Sequence, residues 1–259
     1  MTDPDKADDR LVGTDRVLAV LLELGTHDHG VSLDELAARM QAPKPSVHRA
    51  LGSLTRAGLA ARIGRGQYIL GDEFMRIAFA HHAARPDTAR ITPILESLSQ
   101  RFSETAHYAV LDGADIVYRA KTDPPTGAVR LTSTIGGRNP AHSTAVGKLL
   151  LSTIADSVQD LASLLGPSSL TTRTPRTIVD LDELWAELEI VRDQGYAVED
   201  EENETGIACV AVAAPLDPAG PGRPSGAVSV SALTFRTPLS TLVDGLPEIR
   251  RIVGGRPPA

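Results

Sequence analysis

Gln41-Ala42-Pro43-Lys44-Pro45-Ser46-Val47-His48-Arg49-Ala50-Leu51-Gly52-Ser53-Leu54 reads as a turn followed by the second helix of a helix-turn-helix. Pro45 suits the first turn of a helix, where a missing amide proton is harmless. At helical spacing Val47, Ala50, Leu51 and Leu54 share one face, and Arg49, Gly52, Ser53 and Arg56 take the opposite one. Ser46 and His48 flank that outward face. It is short, polar and basic, the profile of a helix that enters a major groove without bulky side chains holding it off the base edges.

The flanking sequence supports the same reading. From Thr14, Val17/Leu18 and Leu21/Leu22 recur at helical spacing, and Gly25 ends the pattern. Ser32 followed by Glu35 is a capping box for a second helix, with Leu33, Leu36, Ala37 and Met40 as its buried stripe. Gly58 stops the third helix. Leu59–Ile63 and Gln67–Leu70 then flank Gly64-Arg65-Gly66, a glycine-rich wing. From Leu36 to Gly71 the chain has no Asp or Glu, but it carries Arg39, Lys44, Arg49, Arg56, Arg62 and Arg65, against a net charge of -7 for the whole. Gathered positive charge lets an acidic protein approach DNA. The expected DNA contacts are Lys44, Ser46, His48, Arg49 and Ser53 on the helix. Arg56, Arg62 and Arg65 supply mainly phosphate attraction. A protein-interaction module with a degenerate helix-turn-helix is the alternative use of the same pattern.

The chain has 259 residues and a single cysteine, Cys209, so no intrachain disulfide forms. The polar, acidic start (Asp3, Asp5, Asp8, Asp9) is unlike a secretory leader. No apolar run approaches the ~20 residues of a membrane helix. These features suggest a cytoplasmic protein with no membrane contact.

Past the wing, Phe74, Ile77, Ala78 and His81 continue a helix that breaks at Arg85-Pro86. Another helix runs from Thr88 through Ile91, Ile94, Leu95 and Leu98. Strands are expected at His107–Leu111 and Ile116–Ala120, a hairpin around Asp112-Gly113-Ala114-Asp115, and at Val129–Ile135. Helices return at Ser143–Leu151 and Leu181–Gln194. Strands follow at Tyr196–Val198, Ile207–Ala213 and Ala227–Ala232, with an exposed loop at Pro218–Gly226 and Ser240 as cap of a last helix. Residues 1–10 and Gly254–Ala259 read as tails. The mixture is α+β: an N-terminal winged helix-turn-helix (1–71), a linker helix (72–86) and a domain with a largely antiparallel sheet (87–259).

In order and spacing, three stretches resemble the IclR-type bacterial transcriptional regulators. They are Pro43–Leu59; Gly136-Gly137-Arg138-Asn139-Pro140-Ala141-His142-Ser143-Thr144-Ala145-Val146-Gly147-Lys148; and Gly195-Tyr196-Ala197-Val198-Glu199-Asp200-Glu201-Glu202 with Gly206–Cys209 and Ala227–Ser231. The resemblance implies a GAF-like regulatory domain and a homodimer or homotetramer on a double-stranded DNA operator. It further implies control by a small organic effector and no cofactor. Carried over position by position, the effector contacts are Gly137, Ala145, Val146, Glu199, Cys209, Ser229 and Ser231.

The residues themselves allow such a pocket. Ser229 and Ser231 point to one face of a strand and Val228 and Val230 to the other. Cys209 and Ala211 share a face and are small; a two-residue displacement of register would put Ala211 in the cysteine's place. A helix starting near Ser143 would aim free amides at an anion. A small carboxylate or another polar metabolite fits these groups. A hydrolase built on His142, Ser143 and Cys209 lacks a Gly-x-Ser-x-Gly elbow, and a thiol in an apolar strand has a raised pKa. Glu199-Asp200-Glu201-Glu202-Glu204 reads as a solvated acidic loop sooner than a metal site. No catalytic or metal-ligating residue is expected.

Overall fold

Buried apolar side chains gather into three clusters, one in the N-terminal part of the chain and two in the C-terminal part. In this computed structural model, which describes residues 13–64, 66–124, 131–166, 170–214, 216 and 224–254, the chain divides into a unit ending at Arg85 and a unit starting at Pro86.

The first unit holds α1 (Thr14–Leu24), β1 (Val31–Ser32), α2 (Leu33–Arg39), α3 (Lys44–Arg56), β2 (Ala60–Ile63), β3 (Gln67–Leu70) and α4 (Asp72–Ala83). The capping box forms: Glu35 N donates to Ser32 Oγ at 3.2 Å, and Ser32 N donates to Glu35 Oε2 at 3.0 Å. Val47, Ala50, Leu51 and Leu54 of α3 are buried against Val20 and Leu24 of α1 and Leu36 and Ala37 of α2. Gly58 (φ +72°) ends α3 in a Schellman motif, with Leu59 N on Leu54 O at 2.9 Å and Gly58 N on Thr55 O at 3.1 Å. The wing is the antiparallel pair β2–β3, and β1 adds a third strand to β3.

The second unit holds α5 (Pro86–Phe102), β4 (Thr105–Asp112), β5 (Asp115–Thr122), β6 (Arg138–Pro140), a single 3-10 turn (Ala141–Ser143), α6 (Ala145–Ile154) and α7 (Val158–Leu165). It continues with α8 (Leu181–Gln194), β7 (Ala197–Asp200), β8 (Ile207–Ala213), β9 (Ala227–Leu233), α9 (Leu239–Asp244) and α10 (Leu246–Val253). Among the described residues the sheet has six strands in the order β6-β5-β4-β9-β8-β7, every neighbour antiparallel. One face carries Val210, Val212, Val228, Val230 and Tyr108, packed with α5, α9 and α10. The other carries Ala109, Ala197, Ala211 and Ala227 beneath α6 and α8. Small residues on that second face let a helix approach closely and leave room beside it.

Several expectations need correction. Leu131–Ile135 is not a strand; its backbone is held by side chains instead, and the edge strand is β6. Helix α6 starts at Ala145 with Thr144 as N-cap, because Ser143 closes the preceding 3-10 turn. Ser240 lies inside α9, whose cap position is Pro238. Helix α7 falls in a stretch where no element was expected. Residues 1–10, 255–259, most of the Pro218–Gly226 loop and the 129–130 part of the expected strand lie outside the described residues.

Candidate functional site

The outer face of α3 is open. Lys44, His48, Arg49 and Arg56 are exposed, Ser46 and Ser53 half-buried, and Arg62 is exposed on β2. Arg65 lies outside the described residues. Two serines set the arginines along the helix: Arg49 Nη2 donates to Ser46 Oγ at 3.4 Å and Arg56 Nη2 to Ser53 Oγ at 3.0 Å. Lys44 is paired with Asp34 at 2.9 Å on the surface, so part of its charge is met by that carboxylate. No acidic residue lies on α3. The unit thus presents a polar, cationic ridge with its apolar side turned inward, as groove reading demands.

In the second unit, strand register builds a cavity floor. Glu199 pairs with Cys209, Cys209 with Ser231, Ala211 with Ser229, and Ser229 with His107. Alternation puts Glu199, Cys209, Ser229, Ser231 and His107 on the α6 side of the sheet. A bulge adds one more residue. Tyr108 pairs with Ala120 but Ala109 pairs with Tyr118, which leaves Arg119 as the extra residue and turns Tyr118 toward the same side. The result is a cavity of about 190 Å³. All seven expected effector contacts, Gly137, Ala145, Val146, Glu199, Cys209, Ser229 and Ser231, line it.

Polar groups run in a chain along the floor. Cys209 Sγ donates to Ser231 Oγ at 3.0 Å, Ser231 Oγ lies 3.3 Å from His107 Nδ1, and His107 Nε2 lies 2.8 Å from Ser133 Oγ. The roof is the strap Leu131–Thr134. Lys121 Nζ donates to Leu131 O and to Ser133 O, both at 2.8 Å, and Thr132 Oγ1 donates to Glu204 Oε2 at 3.2 Å. At the α6 end, Thr144 Oγ1 accepts Gly147 N at 3.0 Å, and Ala145 and Val146, the first residues of the helix, line the cavity.

The acidic run is only partly solvated: Glu204 is exposed, and Asp200 and Glu201 are half-buried. Glu199 is 1% exposed and Glu202 7%. Glu199 Oε1 accepts Glu202 N at 2.7 Å and Asn203 N at 3.1 Å, tying the turn to β7. Burial nevertheless dominates and pushes the Glu199 carboxyl up to about 7. Glu202 receives the buried Lys148 ammonium at 2.6 Å, and Lys148 also reaches Glu187 at 3.2 Å. Burial lowers His107 to about 3 and raises the Cys209 thiol, so the imidazole is neutral and the thiol protonated. Such a thiol is a poor nucleophile. Among the described residues no group of His, Cys, Asp or Glu is placed to hold a metal ion. His142 braces the loop before α8, with Nε2 at 3.2 Å from Thr171 O.

Sequence reasoning missed His107, Tyr118, Asn139, Arg173 and the strap. His107 carried a usable signal, since it shares the strand parity of the buried face, but only the β4–β9 register brings it beside Ser229. Arg173 carried none.

Comparison with known proteins agrees with this geometry. The bacterial transcriptional regulator IclR C-terminal model matches residues 87–252, and the IclR helix-turn-helix model matches residues 13–64. The chain is 32% identical over 197 residues to the Pca regulon regulatory protein of Pseudomonas putida, covering 76% of this chain and 67% of that one. The crystal structure of Thermotoga maritima IclR matches with a TM-score of 0.68 at 25% identity, covering 93% of this chain and 96% of that one. The inducer-binding domain of an Acinetobacter PobR double mutant, in complex with 3-hydroxybenzoic acid, matches with a TM-score of 0.58 at 28% identity, covering 65% of this chain and 95% of that one.

Proposed function

Because this chain belongs to the IclR family of bacterial transcriptional regulators, binding DNA through its first unit and a small effector through its second, we propose which residues do each task. The protein is a regulator and not an enzyme. Arg49, with Lys44, Ser46, His48 and Ser53, reads bases in the major groove, and Arg56, Arg62 and Arg65 hold phosphates. The effector sits on Glu199, Cys209, Ser229 and Ser231, against the first turn of α6 at Ala145 and Val146 and beside Gly137. Its class is a small carboxylate with a further polar group. The relative bound to 3-hydroxybenzoic acid supports that class.

One observation carries the reading: these seven residues come from four separate stretches of chain and line one cavity. Hydroxyl, thiol and carboxyl donors stand along its floor, and the α6 amides at its end suit an anion.

The active species is a homodimer or homotetramer. Leu18 and Leu22 on α1, and Met75, Ile77 and Phe79 on α4, are exposed in the single chain, with Leu22 at 74% and Phe79 at 65%. Apolar side chains concentrated on two helices suit a second copy. Acting on chromosomal DNA, the regulator works in the cytoplasm. Effector binding shifts the population of DNA-competent arrangements of the two reading heads.

The test is a paired titration on operator fragments selected from genomic DNA. Ser229→Ala with Ser231→Ala should abolish the response to the effector and leave DNA affinity unchanged. A double variant that still responds refutes the assignment.

A further inference from the structure

Among the described residues, one cationic side chain that lines the cavity has no carboxylate partner. Arg138, at its edge, is committed to Asp112 and Asp115. Lys121 is committed to two strap carbonyls and to Asp123 at 3.1 Å. Lys148 is committed to Glu202 and Glu187. Arg173 also lines the cavity, yet among the described residues no carboxylate pairs with its guanidinium. Its backbone is nonetheless fixed. Thr177 Oγ1 accepts Arg173 N at 3.0 Å and Thr174 N at 2.8 Å, and donates to Glu202 O at 2.6 Å. Thr174 Oγ1 donates to Glu201 O at 2.6 Å. The loop is therefore pinned to the turn that follows Glu199, while the side chain it carries is exposed.

The cavity's own carboxyls do not serve as that partner. Glu199 spends one oxygen on two backbone amides, and burial favours its neutral form. Glu204 accepts the Thr132 hydroxyl of the strap. A guanidinium on a fixed loop beside hydroxyl and thiol donors suits a planar anion held through two parallel hydrogen bonds.

We propose that Arg173 is the charge anchor of the effector cavity, pairing with the ligand's carboxylate and setting the preference for an acid over its neutral analogue. This rests on the cavity being the effector site. It assigns a specificity-determining role to a loop residue that none of the motif stretches contains. Lysine cannot replace it fully, because an ammonium is a point charge without the planar fork.

The test is calorimetric titration of the full chain with benzoate, 3-hydroxybenzoate, 4-hydroxybenzoate and succinate, followed by the methyl ester of the tightest acid. Arg173→Gln should lower affinity for the acid by about 10- to 100-fold, the range of a charge-assisted pair. It should leave ester affinity and the unliganded melting temperature unchanged. Arg173→Lys should recover part of the loss. Equal losses for acid and ester, or no loss in Arg173→Gln, overturn the anchor. In the second case the Ser229→Ala, Ser231→Ala variant separates the two readings: if it loses the acid, the cavity assignment stands and only Arg173 falls. Binding of none of the four acids overturns the carboxylate class and the anchor together.

Discussion

His107 Nε2 lies 2.8 Å from Ser133 Oγ, which ties the sheet floor to the strap above it. The direction of the chain follows from its far end. With the Cys209 thiol donating to Ser231 Oγ, the serine proton is left for His107 Nδ1. His107 therefore carries its proton on Nε2 and donates it to Ser133. An imidazole used as donor on one side and acceptor on the other is neutral.

His107 should accordingly not titrate near neutrality. Its folded pKa is about 3, against an ordinary value of 6.5, chiefly through burial. Below pH 6.5 the unfolded chain takes up a proton that the folded chain refuses, so this contribution to stability is lost as pH falls toward 3. Nitrogen-15 correlation spectra should show the same Nε2–H tautomer from pH 8 to pH 5. A midpoint near 6.5 for this ring would contradict the hydrogen-bond chain.

Glu199 runs the opposite way. Its folded pKa of about 7 lies above the ordinary 4.5, so its contribution is fully present below 4.5 and is lost as pH rises through 7. Glu199→Gln keeps an oxygen for the Glu202 and Asn203 amides but cannot ionise. It should be more stable than the parent at pH 8 by about 2–3 kcal/mol, with little difference at pH 5. The slope from His107 is common to both proteins and cancels in the comparison. Chemical denaturation at the two pH values measures this; equal stabilities at pH 8 would show that the carboxyl ionises at no cost.

Cys209 should be a slow thiol. Burial is the main cause of its raised pKa, and the nearby Glu199 adds to it. Modification by a chromogenic disulfide at pH 8 should be far slower in the native protein than in denaturant. A rate matching an exposed thiol would mean a thiolate is stabilised in the cavity, a result that would reopen nucleophilic chemistry there.

Helix α3 was readable because one period sorts Val47, Ala50, Leu51 and Leu54 from Arg49, Ser53 and Arg56, with Gly58 marking the end. Ser229 and Ser231 were readable because strand parity needs no partner. Tyr118 was not. Alternation counted back from Lys121 puts Arg119 on the cavity side, and only the bulge reverses that and sends Arg119 to Asp87, 3.0 Å away. The strap looked like a strand because its residues suit one, yet Lys121 and His107 hold it from below without ladder pairing. Buried acids were misjudged for a related reason. Composition makes Glu199–Glu204 look solvated, but Lys148 and the Thr174 and Thr177 hydroxyls come to it from distant positions.

On the DNA side, base reading and charge attraction separate by experiment. Arg49→Ala should weaken selected operator fragments by ~1–3 kcal/mol, the loss of one good bidentate base contact. Arg62→Ala should weaken all sequences alike and lower the salt slope by about one counterion. Gel shifts across a salt series distinguish the two. An unchanged operator affinity for Arg49→Ala removes that residue from base reading.

Two helical glycines should respond to alanine with opposite signs. A Cβ on Gly147 would fall 2.1 Å from Ala141 O and 2.4 Å from Ala141 Cα, both backbone atoms. Helix α6 would have to lift from the 3-10 turn, losing the Thr144 cap on Gly147 N and displacing Ala145 and Val146 from the cavity. Gly147→Ala should cost about 3 kcal/mol or more, read from urea unfolding at Trp185, the single tryptophan, on the α8 helix that packs over α6. A Cβ on Gly52 meets only the flexible end of Arg56, at 3.6 Å. Gly52→Ala should therefore stabilise the first unit by about 0.5–1 kcal/mol, the helix-propensity difference, followed by circular dichroism. If Gly147→Ala left stability unchanged or raised it, backbone contact at Ala141 would not be what demands glycine at the start of α6.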